Sequence, residues 1–118
     1  LKLARRRAAA TRPAFRRPPE RSRMPADLAE KTDRYERMLA DALAAVEPTA
    51  PSGSPLGEAA AACAEMAGSY LDDGRHFRDE GDPVNALAAF AYGHGWLDCG
   101  VRVGLFEVPD ESAHLFTN

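Results

Sequence analysis

Apolar and polar positions along the chain fall into three blocks with helical spacing. In the first, Leu28, Tyr35, Leu39, Ala42 and Val46 recur at steps of three, four and seven residues. That spacing lines one face of a helix. Asp27, with Glu30 three positions on, reads as a capping box, so a helix is expected from Asp27 to Val46. The turn-rich stretch PTAPSGSP ends it. The second block runs from Pro55 to Glu80, with Ser54 as its cap and Pro55 in the first turn. Its apolar stripe is Cys63, Met66, Ala67, Tyr70, Leu71, Gly74 and Phe77, opposite Glu65, Asp72, Arg75 and Asp79. Gly81 is a natural left-handed stop, and Asp82-Pro83 restarts the chain as cap and first helical residue.

The third block reaches Gly104 and carries two stripes. Leu87, Phe90, His94, Leu97 and Val101 form one; Ala89, Tyr92, Trp96, Cys99, Val103 and Phe106 form the other. A helix apolar on two sides is buried on two sides, or offers one to another molecule. No strand is expected, because the only β-like run, Leu105–Val108, stops at Pro109. The tail 109–118 is polar apart from Leu115 and Phe116, the two residues able to dock back. The pattern therefore predicts an all-α fold: an up-and-down antiparallel three-helix bundle over residues 24–118 with a short tail. A bundle of about 95 residues buries about two thirds of its unfolded surface and leaves little core for a ligand cavity.

Charge changes the picture at the N-terminal end. Residues 1–23 hold nine basic residues against Glu20, a net +8, whereas 24–118 hold six against 17 carboxylates, a net −11. Ala, Arg and Pro make up 16 of those first 23 residues, and Met24 opens a stretch of different character. Residues 1–23 are therefore expected to be a disordered basic extension lying upstream of a true start at Met24. The alternative is a functional basic arm that binds nucleic acid by neutralising phosphates. In the remainder Lys31 is the only lysine and isoleucine is absent, a carboxylate-rich surface that points to adaptation to molar salt and a halophilic source. There is no apolar run long enough to span a bilayer and no ordered signal-peptide pattern. With two cysteines, Cys63 and Cys99, expected as reduced and buried thiols, the chain is read as cytoplasmic.

Candidate chemistry is sparse. His76, His94 and His114 fit no zinc spacing; His94 and Asp98 share a helix face but make only half a site. His94 is better read as a histidine hydrogen-bonded within the bundle. Phosphate-binding glycine loops and nucleophile elbows are missing from the sequence, and no acid, base and nucleophile converge. No cofactor, metal or catalytic residue is expected. Gly93, Gly95 and Gly100 each cost about 1 kcal/mol inside a helix, which close helix approach would explain.

The stretch AEMAGSYLDDGRHFRDEGDPVNALAAFAYGHGWLDCGVRVGLF, residues 64–106, closely resembles the archaeal family of short proteins catalogued as domain of unknown function 357. GDPVNALAAFAYGHGWLD is its most specific part. The resemblance implies a spectrin-repeat-type three-helix bundle of fewer than about 100 residues, within the usual range for one domain, and it implies no catalytic residue. A weaker similarity to a single tetratricopeptide unit lacks the roughly three copies such arrays need. Another, to helical RNA-cleaving toxins, lacks their arginine followed four to six residues on by a histidine.

The functional expectation is a non-catalytic interaction module, partnered by another protein or by a second copy of itself. Its candidate surface is Tyr92, Trp96, Cys99, Val103 and Phe106. Three covers are open to that stripe: the first helix, the tail through Leu115 and Phe116, or another molecule.

Overall fold

The computed structural model describes the backbone of residues 18–116 and the side chains from residue 27. Three helices dominate: α1 (Pro18–Ala45), α2 (Pro55–Asp79) and α3 (Pro83–Arg102). Strand β1 (Glu47–Pro48) follows α1, β2 (Phe106–Glu107) follows α3, and a 3-10 helix spans Asp110–Leu115. Among the described residues, no helix is long and apolar enough to cross a membrane.

Caps set the limits of α2 and α3. Gly57 N–H donates to the Ser54 hydroxyl at 3.1 Å, and Asn85 N–H to the Asp82 carboxylate at 3.2 Å. Gly81, at φ +79°, makes the left-handed turn between them. The start of α1 differs from expectation. Residues 1–17 of the expected disordered extension lie outside the described residues, but 18–23 are helical. Prolines suit a first turn, whose N–H groups have no intrahelical partner, and Arg, Glu and Met then favour helix. The helix continues through Pro25, which leaves the Arg21 carbonyl without its usual intrahelical donor. Asp27 is thus an interior residue and not a cap, and Glu30 pairs with Arg34 one turn on, at 3.7 Å.

The expectation of no strand is also corrected. Glu47 pairs with Glu107 and Pro48 with Phe106 in an antiparallel ladder. Thr49 N–H donates to Leu105 O at 3.0 Å, and its hydroxyl to Gly104 O at 2.7 Å. Gly104, at φ +91°, reverses the chain so that β2 can reach β1. A ladder of two residue pairs carries no alternation for a sequence pattern to reveal.

The core lies where α3 packs on both other helices, most extensively on α2. Phe90, Leu39 and Leu97 are its largest fully buried side chains, joined by Ala42, Ala60, Ala67, Leu71, Ala86 and Phe106. Burying each large side chain is worth about 1.5–3 kcal/mol. Small residues bring the helices close. A Cβ on Gly74 would stand 2.3 Å from the Phe90 ring, and one on Gly93 would meet Tyr70 Cβ at 2.9 Å and Leu39 Cδ2 at 3.0 Å. The buried Thr32 hydroxyl is satisfied by Leu28 O at 2.7 Å.

An ion-pair cluster ties α1 to α2. Arg78 bonds Glu36 and lies 3.3 Å from Asp33, while Arg75 Nε bonds Glu36 at 2.6 Å. The Arg78 guanidinium also sits 6.0 Å from the centre of the Phe90 ring. Its hydrogen bond to Arg78 holds the Glu36 carboxyl below its ordinary 4.5; burial opposes this and Arg75 adds to it. A carboxyl held low in the folded state contributes stability above its unfolded value and loses it as pH falls through the folded value. Wild-type stability should therefore decline as pH drops below about 4.5, whereas Glu36→Gln should show a flatter acid limb and lose about 1 kcal/mol near neutral pH. Chemical denaturation across a pH series checks this; superimposable profiles would remove Glu36 as the cause.

Candidate interaction surface on the third helix

One side of α3 is filled by the tail. His94 Nε2 lies 2.7 Å from Leu115 O, its ring lies 5.7 Å from that of Phe116, and its Nδ1 is 3.7 Å from Asp98. An Nε2–H tautomer donates to the carbonyl and fixes the end of the 3-10 helix against α3. The expected hydrogen-bonded histidine is found, and its partner is the tail. Leu115 and Phe116 pack against the core and, with Tyr35, Met38, Ala91, His94 and His114, line an open cleft of about 280 Å³. The tail therefore docks on α3 at His94, between α3 and α1, and the groove lined by Tyr92, Trp96 and Cys99 contains no tail residue.

The second stripe divides. Ala89 is buried, and Phe106 is 4% exposed and belongs to the core. Heptad extrapolation placed Phe106 on α3, but the helix ends at Arg102 and the left-handed Gly104 folds the chain back. The Phe106 ring consequently rests on Gly100, where a Cβ would stand 2.6 Å from it. Trp96 is half-buried against the core. Tyr92 and Val103 are 58% and 64% exposed, and Cys99 is exposed as well, contrary to its expected burial.

Tyr92, Trp96 and Cys99 come together with Ala91 and Gly95 around a shallow groove of about 300 Å³. Tyr92 is braced from α2 by Tyr70, edge to face, with ring centres 4.7 Å apart. Gly95 is the floor. Close helix approach explains Gly93, and the Phe106 ring explains Gly100, but neither explains Gly95, whose added Cβ would meet nothing within 4 Å. Sequence reasoning missed Ala91 as a lining residue, because alanine reads as helix filler on any face. Across the seam, burial pushes the half-buried Cys63 thiol up, and neighbouring Cys99 adds to the rise. Among the described residues, no group of three or more His, Cys, Asp or Glu side chains is placed to hold a metal ion.

No curated protein and no solved structure matches the chain. A family model described as "Protein of unknown function (DUF357)" matches residues 34–106, from the middle of α1 to the first residue of β2. That span takes in most of the chain and every residue that lines the groove, and the chain accordingly belongs to the DUF357 family.

Proposed function

We propose that the chain is a non-catalytic protein-interaction module that receives apolar side chains of a partner protein, or of a second copy, along the outer flank of α3. The observation that carries this reading is the groove beside exposed Tyr92, floored by a helical glycine that no neighbour packs against. A glycine inside a helix costs about 1 kcal/mol against alanine, and an incoming side chain would give that open backbone a use. Tyr and Trp, which flank it, are the residue types that dominate interface energetics. The nucleic-acid alternative draws on the basic arm 1–23, of which residues 1–17 lie outside the described residues. A cytoplasmic setting belongs to the same proposal.

Tyr92→Ala is the discriminating substitution, because a ring more than half exposed contributes little to folding. It should leave stability within about 1 kcal/mol of wild type. Self-association measured by light scattering, or the affinity for a co-purifying protein, should weaken about 30-fold, the effect of losing a hot spot of about 2 kcal/mol. Trp96→Ala provides a second reading at the same groove. If both variants assemble and bind as wild type does, the proposal fails.

A further inference from the structure

The contacts between α2 and α3 define their register. Gly74 faces Phe90, while Gly93 faces Tyr70 and Ala67, so positions descend on α2 as they ascend on α3 and the helices are antiparallel. Tyr70 and Tyr92 meet at one level of that seam. One heptad back along α2 from Tyr70 is Cys63; one heptad forward along α3 from Tyr92 is Cys99. An α-helix rises about 1.5 Å per residue, so both cysteines lie about 10 Å further along, on the same side of the same seam. The helices are close on the way there: a Cβ on Gly93 of α3 would stand 2.9 Å from Tyr70 Cβ and 3.3 Å from Ala67 O of α2. Both thiols are free, Cys63 half-buried and Cys99 exposed. The influence of Cys99 on the Cys63 thiol is a second sign that the two are neighbours.

We propose that Cys63 and Cys99 are a modification site: a dithiol pair that a hydroperoxide oxidises to a reversible disulfide across the α2–α3 seam. The inference stands on helix register and is independent of the docking role proposed above. An accessible thiol with a second thiol beside it is the arrangement that oxidation to a disulfide requires. Chemistry begins at Cys99, the exposed member. Its thiolate sulfur attacks a peroxide oxygen, the O–O bond breaks, the departing oxygen leaves as water after protonation, and a sulfenic acid remains. The Cys63 sulfur then attacks the Cys99 sulfur; the S–S bond forms, the S–O bond breaks, and a second water departs. Two thiols and one hydrogen peroxide thus give one disulfide and two waters. A low-molecular-weight thiol restores the dithiol by exchange. Peroxide reaches exposed Cys99 before half-buried Cys63, which makes Cys99 the entry point.

The test uses the full chain, whose two cysteines make the outcome unambiguous. Protein treated with equimolar hydrogen peroxide is alkylated under denaturing conditions and weighed. A monomer that has lost two hydrogens, takes up no alkylating reagent, yields a linked Cys63–Cys99 peptide and recovers both thiols on reduction is the expected result. A cyclic dione should trap sulfenic acid at Cys99 in Cys63→Ser and should trap little in wild type. A monomer carrying sulfinic acid at Cys99 with Cys63 still alkylated would overturn the proposal. So would a disulfide formed only between chains, or equal trapping at Cys99 with and without Cys63.

Discussion

Phe90→Ala should cost this bundle about 3–5 kcal/mol, the upper range for removing a buried side chain. The ring is fully buried and stands where all three helices meet. Gly74 of α2 lies against its edge, and Arg78, tied to Glu36 of α1, lies over its face. Truncation would leave a void that its surroundings cannot close, since glycine has no side chain to move in and Arg78 is held by its carboxylates. Small domains have only about 5–15 kcal/mol to lose, so the variant should be near its unfolding midpoint in water or partly unfolded. Phe90→Leu, which retains most of the volume, should lose clearly less. Urea denaturation followed by circular dichroism measures both. A loss below about 1 kcal/mol for the alanine variant would mean that the ring is not the keystone its burial indicates.

The second large effect is a sign reversal between two glycines given the same substitution. Replacing an interior helical glycine by alanine gains about 1 kcal/mol of helix propensity when nothing opposes it. At Gly95 nothing does, because the new methyl would meet no atom within 4 Å, so Gly95→Ala should stabilise the fold by up to about that amount. At Gly74 the same methyl would fall 2.3, 2.5 and 2.8 Å from three atoms of the Phe90 ring. Overpacking a closed core costs about 1–3 kcal/mol, which outweighs the propensity gain. Gly74→Ala should therefore destabilise, and its cost should shrink when combined with Phe90→Leu, since the two changes share one contact. Denaturation of the two single variants and the double variant gives all three quantities. A Gly74→Ala protein as stable as wild type would show that the helices separate at little cost.

Parts of this molecule written in local chemistry were legible from the residues. Ser54-Pro55 and Gly81-Asp82-Pro83 mark α2 and α3 because a capping hydroxyl, a first-turn proline and a left-handed glycine act on their own neighbours. The beginning of α1 was obscured because the charge and proline content of residues 18–26 masked their helix propensity. Long-range contacts through the backbone left no trace in the pattern. His94 meets a carbonyl of Leu115, and Thr49 meets carbonyls of Gly104 and Leu105, and any residue type could supply those acceptors. At the surface, periodicity identified Tyr92, Trp96 and Cys99 but could not tell that a glycine after α3 turns Phe106 inward. Nor could it separate glycines that admit a neighbouring helix, Gly93 among them, from Gly95, which admits none.

The short β1–β2 ladder sets an order of assembly. Helices α2 and α3 are joined by a tight turn at Gly81-Asp82, so their extensive contact closes only a small loop. The ladder joins Glu47 to Glu107 and encloses both of those helices in one long loop. Closure entropy rises with loop length, and contacts distant in sequence form late. The hairpin of α2 and α3 is accordingly expected to form first. α1 should then join it, and the two residue pairs of the ladder should act as a buckle, fastened last and first to open.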